Sequence, residues 1–397
     1  MNFLSHRVQK LAESETLAMA RLGNELKEKG VDVINMSLGE PDFSTPDFIK
    51  LAAKDAIDKN FSYYTPVPGY KDVCEAIAKK FQRDNQLPYK GSQIVISTGA
   101  KQSIINVVMA TINPGDEVIL PAPFWVSYAE MITLNEGKVV QLNTDYQSDF
   151  KITPDQLEKA ITPKTKMFLF SNPSNPTGSM YSEKELRALG EVFKRHPNIL
   201  IVSDEIYEYI TFEEKMFSIG SIPELFDRTV TVNGLSKGFA MTGWRLGYLG
   251  APEAVAKACV KIQGQYTSGA SSISQRAALA AVNADPSVVS EMKSAFKKRR
   301  DLLISLFTQI PHVHCNRPGG AFYLFPEVSY YFGKRHGDTA IKDAKDLCMY
   351  LLNVGHVALT PGGAFGAPNY IRLSYATSED KITEAVMRIK RALAQLS

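Results

Sequence analysis

The chain is poor in cysteine and carries little net charge for its length. Four cysteines (Cys74, Cys259, Cys315 and Cys348) are scattered over 397 residues with no CxxC pair. That spacing argues against a disulfide framework or a zinc site and fits buried thiols in a reducing compartment. The net charge is only +3, which gives no reason to expect nucleic acid or an anionic membrane, partners that usually call for clustered basic charge. His312 and His314 form a lone His-x-His beside Cys315. With no further ligands to complete a metal set, a solvated loop is expected there and no metal. The first residues, MNFLSHRVQKLAESE, are charged throughout and lack an apolar stretch, so they are not expected to act as a signal peptide. No apolar run approaches the roughly 20 residues that span a bilayer. Repeats, low-complexity tracts and the GxGxxG fingerprint of dinucleotide folds are also missing. The expectation is a soluble, cytoplasmic protein whose partners include neither nucleic acid nor membrane. Acidic small molecules stay within reach, because a few placed cations hold them.

What is present is an ordinary globular composition, 44% hydrophobic and 22% charged, in a chain long enough for two domains. Residues 6–29 read as one amphipathic helix closed by Gly30, followed by the apolar strand VDVINMSL. Seven short β-branched runs then alternate with helix-prone stretches: 94–97, 117–120, 139–142, 167–171, 199–203, 229–233 and 246–250. Near-continuous apolar strands separated by helices predict an α/β fold, a mostly parallel sheet covered on both faces. Ligands of such sheets bind at the carboxyl ends of the strands. From about Asp285 the pattern changes to a long charged helix, short strands at AFYLF and YIRLSY, and a closing helix. That portion predicts a smaller α+β domain.

Several polar residues follow those strands. Lys237, in NGLSKGFAMTGWRLGY, reads either as an exposed loop lysine or as a Schiff-base amine, which needs burial and nearby positive charge. Arg245, eight residues on, supplies such a charge and a fork suited to phosphate. Asp204, after ILIVS, reads as a helix N-cap or as the partner of a pyridinium nitrogen. Tyr207 would share its face if a helix has begun there, and is otherwise a core residue. Asn175, in SNPSNPTG, fits a turn as well as an amide aimed at a ligand. Gly99, Ala100 and Lys101 open a helix whose free N–H groups suit phosphate. Trp125 is either core or a stacking ring. Arg372, mid-strand in YIRLSY, faces solvent or clamps a carboxylate with two hydrogen bonds.

Taken in order, SLGEPDF, YYTPVPG, STGAKQ, PGDEV, SNPSNPTG, SDEIYE, SKGFAMTGWRLGY, PGGAFY and YIRLS resemble the class I aminotransferases of pyridoxal-phosphate (PLP) fold type I, over essentially the whole chain. The resemblance implies a large PLP-binding domain over 46–285 around a mostly parallel seven-stranded sheet, and a small domain from 1–45 and 286–397. It implies pyridoxal 5′-phosphate as cofactor, with Lys237 as the Schiff-base lysine, Asp204 on the pyridine nitrogen and Tyr207 and Asn175 on the ring oxygen. Trp125 matches the stacking aromatic, and Gly99, Ala100, Lys101, Ser236 and Arg245 the phosphate segments. Arg372 matches the holder of the substrate α-carboxylate, with Gly39 lining the same pocket. Tyr64 matches a tyrosine that reaches the neighbouring subunit's phosphate, so a homodimer with shared sites is implied. Substrates would be amino acids and 2-oxo acids. KIQGQYTSGASSIS contains no arginine for a distal carboxylate. The bacterial aspartate aminotransferase subgroup, which the chain resembles more closely, uses a lysine and a threonine that match Lys101 and Thr16. Ala12 stands where prephenate-using members carry a lysine. The expected reaction is therefore aspartate with 2-oxoglutarate, giving oxaloacetate and glutamate, with prephenate use not expected. The alternatives are an aromatic or broad-specificity aminotransferase and, further off, a carbon–sulfur lyase on the same scaffold.

Overall fold

In the computed structural model, which describes residues 3–397, the apolar runs form strands. In chain order they are β1 (Ile34–Asn35), β2 (Ile94–Ser97), β3 (Glu117–Ala122), β4 (Lys138–Asn143), β5 (Thr165–Ser171), β6 (Leu200–Asp204), β7 (Thr229–Gly234) and β8 (Gly247–Gly250). Strands β2 to β8 make one seven-stranded sheet in the order β2-β8-β7-β6-β5-β3-β4. Every pair is parallel except those of β8, which runs antiparallel to both β2 and β7.

The period of two decides which core each side chain joins. Val118 and Leu120 enter a cluster with Ile104 and Val107 of the helix Ala100–Thr111. Ile119, between them, enters the opposite cluster with Leu186 and Phe193 of the helix Glu183–Arg195. Both faces are thus buried, which is why these strands carry no polar alternation. The register sets Ser171 opposite Asp204 and Asp204 opposite Val232. The segments that leave β5, β6 and β7 therefore start from one sheet edge.

The smaller α+β portion is built from both ends of the chain. β1 pairs in parallel with Val357–Ala358. Ile371–Ser374 lies between Thr360–Pro361 and Tyr323–Leu324, antiparallel to both. The helices Ser290–Phe307 and Glu379–Leu393 pack on each other through residues such as Phe296, Leu303, Ile382 and Val386.

Two local expectations change. The single helix over 6–29 is instead two, His6–Gln9 and Glu15–Glu28. The break falls where the Ala12 N–H donates to Glu130 Oε2 at 3.1 Å, a tertiary bond in place of a helical one. The strand over 31–38 shortens to two paired residues. Among the described residues, no helix is long and apolar enough to cross a membrane.

Candidate active site

A cavity of about 270 Å³ opens where β5, β6 and β7 end. All the expected site residues line it except Gly99 and Tyr64. Gly99 lies just beneath Arg245, whereas Tyr64 stands apart with its side chain 99% exposed.

Asp204 closes β6, and no helix follows; residues 206–209 form turns. The helix-cap reading therefore fails, and Tyr207 reaches the cavity through a turn rather than a helical face. The Asp204 carboxylate is buried. It accepts from the Tyr128 hydroxyl at 2.6 Å and from the Ile206 N–H at 3.2 Å. Burial pushes its carboxyl up to about 6, against the opposing pull of Tyr128, the Ile206 N–H and the Lys237 cation. Lys237 leaves the loop after β7 and donates to the Gly39 carbonyl at 2.5 Å. Burial brings its amine down to about 8; Glu40 and Asp204 resist the fall, and Arg372 and Arg245 add to it. An amine so placed spends part of its time neutral near pH 7, as a nucleophile must.

Arg372 is 2% exposed, so its mid-strand position does not face water. Its Nη1 donates to Asn175 Oδ1 at 2.9 Å and its Nη2 to the Ser37 carbonyl at 2.5 Å. The guanidinium lies over the Tyr323 and Phe365 rings, at 4.7 and 4.9 Å. Nε is buried with no partner among the described residues, and a cation so held favours an anionic guest. Lys101 Nζ sits 4.8 Å from the centre of the Trp125 ring, and burial, then Arg245, lowers its amine.

The expected cofactor asks for an anion cradle, a buried acid and an amine around one cavity, and these residues meet each demand. The helix Ala100–Thr111 has Gly99 at its N-cap with no side-chain cap. A Cβ at Gly99 would stand 2.5 Å from Arg245 Nη2, and one at Gly247 2.2 Å from the Ala100 nitrogen. The absence of side chains there leaves the first N–H groups and the guanidinium open to a phosphate.

Two members of the site, Tyr128 and Tyr323, are not among the residues singled out from the sequence. Tyr128 lies three residues after Trp125 in PAPFWVSY, and its bond to Asp204 spans 76 residues. The Tyr323 hydroxyl lies 2.7 Å from that of Tyr207 and fills the space above Gly39, where a Cβ would meet it at 1.9 Å. Both are ordinary core tyrosines by pattern; only long-range packing gives them polar partners.

Comparison with known proteins gives the family. The family described as Aminotransferase class I and II matches residues 31–389. An aspartate/prephenate aminotransferase of Nitrosomonas europaea is 46% identical over 395 residues, covering 98% of this chain and all of that one. The aspartate aminotransferase from Rhizobium meliloti superposes with a TM-score of 0.96 at 42% identity, over the full length of both chains. That of Thermus thermophilus with maleate gives 0.93 at 38%, covering 99% of this chain and all of that one. The chain belongs to the class I and II aminotransferases, enzymes of PLP fold type I that work with pyridoxal 5′-phosphate.

Proposed function

We propose that this aminotransferase exchanges the amino group of aspartate with 2-oxoglutarate, giving oxaloacetate and glutamate. The observation that carries the substrate reading is that two cations, Arg372 and Lys101, line the cavity of Lys237 together with Thr16. Such a pair suits a substrate with a carboxylate at each end. The maleate of the Thermus relative, a four-carbon dicarboxylate, supports it.

The bound cofactor supplies an electron sink for the carbanion left when the substrate loses its α-proton. The chain's residues do the rest. Lys237 would hold the cofactor aldehyde, and its neutral Nζ would be the group that takes the substrate's α-proton. Asp204, steadied by Tyr128, keeps the ring nitrogen protonated. Tyr207 and Asn175 would serve the ring oxygen, and Trp125 would supply a flat apolar wall for the ring. The Gly99–Lys101 backbone, Ser236 and Arg245 hold the phosphate. Arg372 fixes the α-carboxylate beside Gly39, so the Cα–H bond meets Nζ in one pose.

We assign residues 46–285 to the large domain and 1–45 with 286–397 to the small one, in a cytoplasmic homodimer. The exposed Tyr63 and Tyr64, at 83% and 99%, support a partner surface there, with Tyr64 reaching the partner's phosphate site. Prephenate is expected to be a poor acceptor. Beside Ala12 stand Glu13, Glu15 and Glu130, and the neighbouring Lys345 is paired with Glu15 at 2.9 Å, which leaves no free cation among the described residues lining that pocket for a second anionic group.

Lys101→Ala and Thr16→Val should each lower kcat/KM for aspartate by about 10- to 100-fold, the scale of a hydrogen bond to a charged group. Alanine and phenylalanine should change by less than about threefold, since neither has a distal carboxylate to lose. A steady-state panel of amino donors with 2-oxoglutarate measures this, and equal losses for all donors would remove both residues from that role. The pH dependence of cofactor capture is a separate check. With the Lys237 amine near 8, the borohydride-trapped PLP adduct should form faster as pH rises from 6.5 to 9, as the neutral amine accumulates. A flat profile would contradict an active amine at Lys237.

A further inference from the structure

The turn after β6 has two faces. Asp204 and Tyr207 line the cavity; Glu205, Glu208 and Tyr209 do not, and enter a buried polar cluster behind it. Their partners come from the helix Lys71–Lys80 and the π-helical turn Phe81–Asn85. Lys80, fully buried, pairs with Glu208 Oε1 and donates to Asn85 Oδ1 at 2.8 Å. Asn85 Nδ2 donates to Glu208 Oε2 at 2.8 Å and lies 3.4 Å from Glu205 Oε2. The other Glu205 oxygen accepts from Ser203 at 2.9 Å and Ser218 at 2.7 Å. The Tyr209 hydroxyl donates to Asp84 at 2.8 Å. Its ring presses on the residue after Lys237, since a Cβ at Gly238 would stand 2.6 Å from Tyr209 Cδ2.

A buried ion pair is a weak source of net stability, because desolvation offsets its attraction. A satisfied buried network does fix geometry. This one joins one turn to one helix, and the turn carries two residues assigned above to the cofactor. Its charges balance when Glu205 is protonated, with Lys80 and Arg83 set against Asp84 and Glu208. Burial, with Glu208 adding to it, raises the Glu205 carboxyl to about 8 despite the Ser218 and Ser203 hydroxyls and Lys80. The phenols of Tyr209 and Tyr248, facing the same cluster, are raised by burial and stay neutral.

We propose that the Lys80–Asn85–Glu208 cluster is a positioning device for transamination, setting Asp204 and Tyr207 against the cofactor ring and, through Tyr209 on Gly238, the height of Lys237. The proposal rests on the assignment of Asp204 to the ring nitrogen.

The double variant Lys80→Met/Glu208→Gln removes both charges at similar volume, and Asn85→Leu removes the bridging amide alone. Each is compared with wild type for the PLP Kd of the apo-protein, the pH midpoint of the bound cofactor's visible band, kcat, KM for aspartate and Tm. Misplacing Asp204 by a fraction of an ångström should raise the PLP Kd and lower kcat by about tenfold each, and move the band midpoint. KM for aspartate should stay within about twofold, because Arg372 and Lys101 hang on other elements. If the double variant does not fold, Asn85→Leu, which keeps the ion pair, gives the same readouts. Wild-type Kd, band and kcat in a variant with a changed Tm would make the cluster merely structural and overturn the proposal. Asp204→Ala separates the two ideas. If it leaves the band midpoint unmoved, the ring-nitrogen assignment fails; if it moves the midpoint and the cluster variants do not, the positioning role alone fails.

Discussion

Lys237→Ala is expected to leave a folded protein with no borohydride-reducible PLP adduct and with kcat lowered by at least about 10⁴-fold. Two separate losses combine in it. The covalent hold on the cofactor disappears, and so does the group that takes the α-proton, itself worth about 10²–10⁴ in rate. Arg372 and Arg245 remain, so PLP and aspartate should still bind non-covalently, and the defect should fall on kcat more than on KM. The fold should survive, because truncation removes a half-buried amine whose one hydrogen-bond partner among the described residues is the Gly39 carbonyl. Circular dichroism checks the fold, and peptide mapping of reduced wild-type enzyme checks the attachment point. An adduct mapped to any other lysine sinks the assignment.

The second large effect concerns Asp204. Asp204→Asn is nearly isosteric, and its amide oxygen still accepts from Tyr128, so below about pH 4, where the wild-type carboxyl is neutral too, stability should change by about 1 kcal/mol or less. A neutral amide cannot hold a proton on the ring nitrogen, and the electron sink weakens. A loss of about 10²–10³ in kcat is expected, the scale of removing one preorganised electrostatic contact. The pH dependence of the apo-protein gives an independent readout. The folded Asp204 carboxyl is raised to about 6 from an ordinary 3.8. Between those values the folded state binds more protons than the unfolded state, so this group's contribution to stability falls as pH rises through the window. Asp204→Asn should flatten that segment of the stability curve. PLP should flatten it in wild type too, because a cationic ring nitrogen beside the carboxylate favours its charged form. Unchanged curves in both experiments would contradict the pairing.

Much of this was legible in the sequence because the relevant signals are local. The run Ile94–Ser97 matches its strand residue for residue, and 167–171 falls inside Thr165–Ser171. Buried parallel strands announce themselves as apolar runs whatever lies beside them. Strand order and the antiparallel insertion of β8 between β2 and β7 leave no local mark, since they depend on which loops cross the sheet. Residues 6–29 misled for the same reason: their amphipathic period continues through 10–14, but Glu130, far along the chain, captures the Ala12 N–H. At the site, Lys237, Asp204 and Arg372 stood out as charges placed on, or just after, apolar strands. Tyr128, Tyr323 and Lys80 did not, because a buried tyrosine or a helix lysine is ordinary until its distant partner is known. The face of SDEIYE that meets Asn85 and Lys80 was hidden in the same way.

The central claim is that this chain carries an amino group on the enzyme from donor to acceptor, and a single half-reaction tests it most directly. Holoenzyme is mixed with excess L-aspartate and no oxo acid, and oxaloacetate, ammonia and pyruvate are followed over time. The account predicts one oxaloacetate per Lys237 site, then a stop, with release resuming only when 2-oxoglutarate is added and glutamate appearing in equal amount. Continuous turnover without an oxo acid, or ammonia in place of glutamate, would contradict it.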